Sequence, residues 1–303
     1  MSETQLGILL RILSGVLFAA MMATVKALGD AAALGQVVFF RSAVAMVPLV
    51  IFLWLRNEFP VGLATRRPVA HLKRCVLGGA AMFTSFAALA YLPIAEATML
   101  AYLSPVIVVA LAATLLAEKV PLRRWYGVLL GLSGVAVLTL PAFGAGDTAL
   151  IGIALGLATA ALTAGALIQV RALAQSENPG AIAFYFALFC SLAGLATWPL
   201  GWTTPDAWAL TLLILSGLLG GAAHIAMTLS FKYAEASILA PFEYLSILWA
   251  AILGLLLFAE VPALTFLLAA PLVIGGAVLA SAPARRRRPI AKPHLDRSTG
   301  SAA

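Results

Sequence analysis

The apolar residues of this chain fall into long blocks parted by short polar interruptions, a pattern unlike the alternation of strands or the one-sided stripe of soluble helices. A helix that crosses a bilayer needs about 20 mostly apolar residues. On that ruler the blocks predict spans near 6–28, 33–55, 75–93, 95–117, 125–141, 149–170, 180–200, 207–231, 236–259 and 262–281. The interruptions at 29–33, 93–95 and 259–262 are very short, which predicts tight connections there. The expected fold is all-α and integral to the membrane, with ten transmembrane helices.

Composition agrees. Of the 303 residues, 63% are hydrophobic and 10% charged, whereas a soluble domain carries about 25% charged residues. The two cysteines, Cys75 and Cys190, lie in different blocks or their flanks, and neither has a second ligand at metal-binding spacing. Neither a disulfide framework nor a metal site is expected. The first block begins after Glu3, has no basic segment ahead of it and no small-residue cleavage site behind it. It is expected to remain as the first membrane helix.

Charge adds an orientation. Of the 19 Lys and Arg, three (Arg11, Lys26, Arg41) fall inside predicted spans, and the other 16 all follow even-numbered spans. These are Arg56, Arg66, Arg67, Lys73 and Arg74, then Lys119, Arg123 and Arg124, then Arg171, then Lys232, then six in the tail. Odd-numbered connections carry acids instead, among them Asp30, Asp147 and Asp206. Basic residues stay on the cytoplasmic side, so both termini are expected in the cytoplasm. The tail, residues 282–303, is polar, basic and Pro-bearing, and is expected to be disordered. Its run Arg285–Arg288 sits beside a membrane helix and reads as an anchor for anionic lipid rather than a nucleic-acid site.

The chain also repeats itself. Ala95-Glu96-Ala97-Thr98 recurs as Ala234-Glu235-Ala236-Ser237, and Leu116-Ala117-Glu118-Lys119-Val120-Pro121 recurs one residue shorter as Phe258-Ala259-Glu260-Val261-Pro262. Ser133 to Leu138 is echoed by Gly275 to Leu279, and Val25-Lys26-Ala27-Leu28 by Val170-Arg171-Ala172-Leu173. The offset of 139 to 145 residues makes each copy five helices long. Five is odd, so the second copy enters the membrane from the opposite side. The expected units are an inverted pair, residues 1–143 and 144–281, followed by the tail. Inverted repeats suit alternating access, in which two similar halves exchange roles around a central site.

The stretch from Ala87 to Glu118 and its copy from Phe231 to Glu260 resemble the signature of the drug/metabolite transporter superfamily, EamA type. Lys26 and the pair Phe40-Arg41 fit the same pattern. The resemblance covers all but the tail and is greatest to amino-acid exporters of the YddG type. It implies a secondary transporter of small molecules that works in a bacterial inner membrane without a cofactor.

Ionisable groups at membrane depth are costly and usually face a cavity or a partner. Arg41 lies about 12 Å inside its span at 1.5 Å per residue. It suits either a substrate carboxylate or an ion pair with Glu260 or Asp30. Lys26 lies nearer the outer surface, where snorkelling also explains it. Glu243 and His224 reach similar depths in the inner half, and together they suit a substrate ammonium or a proton relay. His224 would equally serve a backbone hydrogen bond, and Glu243 would have to be protonated, partnered or beside water. Aligning the repeats sets Tyr102 opposite Pro241 and Pro105 opposite Tyr244. Proline interrupts helix hydrogen bonding, so Pro105 and Pro241 are candidate hinges, or plain packing kinks, with Tyr102 and Tyr244 on the pathway. Tyr91 and Trp249 fall at nearby depths. Glu118 and Glu260 are each followed by a proline within three residues and read as structural. The small-residue spacings Gly127/Gly131, Gly152/Gly156 and Gly217/Gly221 predict close packing inside the bundle, and a monomer.

The expected function is therefore export of small organic metabolites, amino acids with aromatic or other apolar side chains foremost, by alternating access. Sugars, nucleotide sugars, vitamins and cationic drugs are the alternative cargoes. No Gly-rich phosphate loop is present, so ATP is not expected to drive the cycle. A membrane-embedded enzyme would need a nucleophile–base or metal constellation, and none is apparent, so an enzyme is not expected.

Overall fold

The computed structural model describes residues 2–104, 106–108, 122–139, 147–173, 176–233, 242 and 245–281. All regular structure among the described residues is helical. In chain order the α-helices are α1 (Glu3–Leu28), α2 (Leu34–Leu55), α3 (Pro68–Ala88), α4 (Ile94–Ala101), α5 (Leu122–Thr139), α6 (Asp147–Leu173), α7 (Pro179–Leu195), α8 (Ala207–Tyr233), α9 (Leu245–Phe258) and α10 (Leu264–Ser281). Among the described residues, four stretches are long and apolar enough to cross a membrane: Glu3–Ala31, Leu34–Leu55, Thr148–Val170 and Ala207–Met227. Trp54, Leu55, Leu129, Leu256 and Leu264 all stand more than half exposed on the outside of the bundle. Such a surface is a liability in water and is suited to hydrocarbon.

Local chemistry sets several helix ends. The Ser2 hydroxyl accepts from the Gln5 N–H while the Gln5 side chain accepts from the Ser2 N–H, a reciprocal cap that starts α1. Asn178 caps α7 by accepting from the Gly180 N–H at 2.7 Å, with Pro179 in the first turn. Asp206 accepts from the Ala209 N–H at 2.7 Å where α8 begins. The third helix departs from expectation. It starts at Pro68 rather than near 75, because proline is well placed in a first helical turn. Lys73 and Arg74, expected in a polar connection, ride on the helix instead, together with His71. The fourth helix ends at Ala101 and turns through Tyr102 and Leu103. Ala101 lies four residues before Pro105, which has no N–H to return to that carbonyl.

The packing has a symmetry that the order of the helices does not require. The helix α1 packs on α8 and on α9, α2 on α7 and α8, α3 on α6 and α7, α4 on α6 and α9, and α5 on α10. Exchanging every helix for the one five places along maps this set onto itself. The contacts α2–α7, α4–α9 and α5–α10 become their own images, while α1–α8 becomes α3–α6. Lipid-embedded helices gain little from hydrophobic burial against one another and rely on close van der Waals approach. Glycines allow it here. A Cβ at Gly194 of α7 would stand 2.6 Å from the Phe39 backbone nitrogen of α2, and one at Gly276 of α10 would stand 2.7 Å from the Gly127 carbonyl of α5. Gly131, Gly152, Gly156, Gly217 and Gly221 likewise face neighbouring helices or connections, so their spacings serve packing within the chain.

One more tie joins two connections. Glu177, between α6 and α7, accepts from the Arg66 N–H at 3.2 Å and from His71 Nε2 at 3.4 Å. Tyr185 donates its hydroxyl to the Leu63 carbonyl at 2.8 Å beside them, and Arg67 donates to the Ala172 carbonyl at 3.1 Å. Burial pushes the Glu177 carboxyl up, but the hydrogen bonds of Thr65, Arg66 and His71 and the His71 charge outweigh it and hold the group below the usual carboxylate range.

Two outcomes follow from this packing. Gly276→Val should force α5 and α10 apart and lower stability by about 1–3 kcal/mol, read as thermal unfolding of the detergent-solubilised protein. A depressed carboxylate stabilises the fold above its unfolded value, and that contribution is lost as pH falls through the folded value. Glu177→Gln should therefore flatten the acid limb of a melting-temperature profile and leave little difference from the parent once Glu177 of the parent is itself protonated.

Candidate functional site

Arg41 occupies the centre of the bundle because α2 meets α8 at glycines. Gly217 and Gly221 of α8 face Val44 and the Ala45 backbone of α2, bringing the two backbones close. Arg41 is 5% exposed, and its Nη2 donates to Nε2 of His224 on α8 at 3.2 Å. A guanidinium has donors only, so Nε2 is the acceptor and the imidazole carries its ring proton on Nδ1. Phe18 of α1 meets the His224 ring edge-on at a centroid distance of 5.1 Å. Gly220 leaves the room that Arg41 needs, since a Cβ there would stand 3.2 Å from Arg41 Nε. That Nε is buried and has no hydrogen-bond partner. The pairing with Glu260 or Asp30 that the sequence allowed does not form; imidazole meets the guanidinium instead.

A second guanidinium lies nearby. Arg74 of α3 rests over the Phe186 ring of α7, 4.0 Å from its centroid, a favourable seat for a cation on an aromatic face. Its Nε and Nη1 are buried without partners. Gly78, one turn along α3, makes this possible, because a Cβ there would collide with Nη1. The charges of Arg41 and Arg74 oppose each other, and the Cys190 sulfur of α7 lies against Gly79 of α3, one residue beyond Gly78. Sequence reading counted Arg74 among the loop cations because an apolar window begins one residue later. The signal was the helical register, since Arg74 and Gly78 share a face of a helix that starts at Pro68.

The other sequence candidates divide between this cluster and the periphery. Lys26 lies eight residues beyond Phe18, about 12 Å along α1. Its Nζ bonds the Glu260 carboxylate and the Leu92 carbonyl, the latter at 3.0 Å. The second Glu260 oxygen accepts from the Ile94 N–H at 3.1 Å, the first turn of α4. Glu260 thus joins α1, the start of α4 and the α9–α10 connection. Tyr91 sits in the α3–α4 connection, 45% exposed and against Gly152 of α6, and does not reach the Arg41 cluster. Trp249 of α9 packs at Gly15 of α1, one turn from Phe18, with its indole N–H buried and unpartnered. Tyr102 is half-buried against the core at the end of α4. Glu243, Tyr244, Pro105 and Pro241 lie outside the described residues. No group of three or more metal-ligating side chains occurs among the described residues.

Comparison with known proteins gives this arrangement a context. The chain matches the EamA-like transporter family twice, over residues 5–140 and 150–282. It is 30% identical to a pseudopaline exporter of Pseudomonas aeruginosa, over 84% of this chain and 89% of that protein. It is 28% identical to a riboflavin transporter of Rhizobium johnstonii, over 76% and 77% of the two chains. One crystal structure aligns with a TM-score of 0.62 over 94% of this chain and 98% of that one, at 22% identity, a likeness of fold.

The triple junction at Glu260 gives its own test. Glu260→Gln keeps an acceptor for the Ile94 N–H but removes the charge that Lys26 meets, and should cost roughly 1–3 kcal/mol in thermal unfolding. Lys26→Met in the same background should then cost little more, because the interaction it would remove is already gone.

Proposed function

The chain belongs to the EamA-like transporter family, and we propose that it is a secondary transporter exporting small organic metabolites, amino acids among them, across a bacterial inner membrane by alternating access. In this reading ten helices span the bilayer as two inverted halves, residues 1–143 and 144–281, with both termini and the basic tail in the cytoplasm. The five-place exchange symmetry of the packing supports the paired halves. The alternation of basic and acidic connections supports the orientation.

The names of the relatives point to different cargoes, so kinship alone does not choose one. The observation that carries the cargo reading is Arg41, buried between α2 and α8 with Nη2 held by His224 and Nε unpartnered. A guanidinium fixed in this way has a donor to spare for a carboxylate, and charge-assisted hydrogen bonds of this kind are about twice as strong as neutral ones. Phe18 supplies apolar surface beside the His224 ring. His224 accepts from Arg41 only while its Nε2 is unprotonated. Protonation of that nitrogen breaks the pair, which would let a proton and the cargo exchange hold of Arg41. Glu243 would complete the proton or ammonium side of this chemistry, and Trp249 and Tyr102, with Tyr244, would line the path. Pro105 and Pro241 would act as the hinges. The Lys26–Glu260 junction would close the outer ends of α1, α4 and α9 in one state and part in the other.

Counterflow of labelled amino acids into proteoliposomes at two proton gradients tests the reading. Exchange should be measurable, and Arg41→Gln should reduce it roughly ten- to hundredfold, the loss expected for one charged hydrogen-bond partner. His224→Gln retains an acceptor but cannot titrate, so exchange should persist and lose its dependence on the proton gradient. No flux for any amino acid would defeat the cargo reading.

A further inference from the structure

We infer that the central site is built for a net-anionic metabolite bearing two carboxylates, held jointly by Arg41 and Arg74. The inference rests on the transport reading above and narrows its cargo, away from the apolar amino acids that the sequence suggested.

Both guanidiniums border one stretch of α7, where Phe186, Cys190 and Gly194 lie on successive turns. Arg74 seats on Phe186, a Cβ at Gly79 of α3 would stand 3.5 Å from Cys190 Sγ, and Gly194 meets Phe39 of α2 two residues before Arg41. Their charges oppose each other. A buried charge is normally paired, yet neither arginine meets a carboxylate among the described residues. The described carboxylates that form ion pairs are engaged elsewhere, Glu260 by Lys26, Glu58 by Arg56 and Glu177 by His71. What surrounds the two arginines is an imidazole acceptor, the Phe186 ring and the thiols of Cys75 and Cys190. A thiol is mostly uncharged at neutral pH, so among the described residues this shell supplies no full negative charge.

The two cations are also held ready. His224 fixes Arg41 through Nη2, and Phe186 seats Arg74. Three buried nitrogens, Arg41 Nε with Arg74 Nε and Nη1, keep unused donors. The guanidiniums fill space that only the bare Cα of Gly220 and Gly78 leaves. A zwitterion would bring one carboxylate and also an ammonium, which a buried and a half-buried cation repel. A dicarboxylate satisfies both guanidiniums and meets their donors with oxygen acceptors. An amino acid with an acidic side chain meets the same requirement, its ammonium outweighed by two carboxylates.

The test uses the full chain in proteoliposomes, comparing counterflow of labelled glutamate and labelled leucine with succinate as competitor. Thermal unfolding in detergent with and without succinate supplies a binding measure independent of transport. Glutamate should exchange at least tenfold faster than leucine, and succinate should both inhibit it and raise the melting temperature. Arg74→Gln should lower the glutamate-to-leucine ratio about tenfold or more and abolish the succinate shift. It should change the melting temperature little, because it removes one contact with the Phe186 ring together with two buried donors that lack partners. Gly78→Ala should act in the same direction, since it displaces the flexible Arg74 side chain while changing no charge. Equal exchange of leucine and glutamate, with Arg74→Gln reducing both alike, would overturn the inference and leave the amino-acid reading standing. An Arg74-dependent succinate shift without exchange of any amino acid would uphold the inference and defeat that reading. Absence of both the shift and the glutamate preference would overturn the inference.

Discussion

A guanidinium inside an apolar helix bundle has to be met by something, and the centre of this molecule is arranged around that demand. Arg41 is 5% exposed between α2 and α8, and its Nη2 takes the His224 imidazole as acceptor. That single contact explains several features at once. It requires the glycine-lined approach of α2 to α8, the bare Cα of Gly220 beside the guanidinium and the edge-on Phe18 ring that confines the imidazole. It also specifies the ring proton, because an acceptor Nε2 leaves Nδ1 as the protonated nitrogen.

Around this centre, the described polar ties gather where connections meet. Glu260 links Lys26, the start of α4 and the α9–α10 connection. Glu177 links Arg66 and His71 across the α2–α3 and α6–α7 connections. Between these ties the helices touch mainly through small residues and apolar side chains, contacts that carry little directional preference. A molecule held firmly by polar groups at its ends and loosely through its middle can part at one end without unpacking the other. This is the mechanical property that alternating access needs.

The two halves illustrate how symmetry and function diverge. Exchanging each helix for its mate preserves the packing, yet Arg41, Arg74 and His224 all belong to contacts among α2, α3, α7 and α8 and have no basic counterparts at matching positions. Symmetry sets the scaffold, and the chemistry of the site is asymmetric within it. In the transport reading proposed above, a central site would bind one cargo in one orientation, so chemistry that mirrored the scaffold would serve it poorly.

Much of the architecture was determined by the sequence alone. Apolar block length indicates helices in a membrane, because lipid offers no partner for backbone polar groups and so forces them to be satisfied within each segment. The repeated Ala-Glu-Ala and Glu-Pro segments placed two related units in the chain, and the buried Arg41 was legible as an isolated charge in an apolar run. What the sequence did not contain was partnership. Nothing in the spacing of Arg41 and His224, 183 residues apart, announces a hydrogen bond. Nor does hydropathy distinguish a cation that faces water from one that folds back over an aromatic ring, which is why Arg74 was counted with the connections. Lys26 and Glu260 were each visible, and only the convergence of α1, α4 and α9 made them a pair. Periodicity and hydropathy report each segment against its solvent. Which side chains meet depends on helix register and on where glycine lets two backbones close, and the tertiary structure alone decided that.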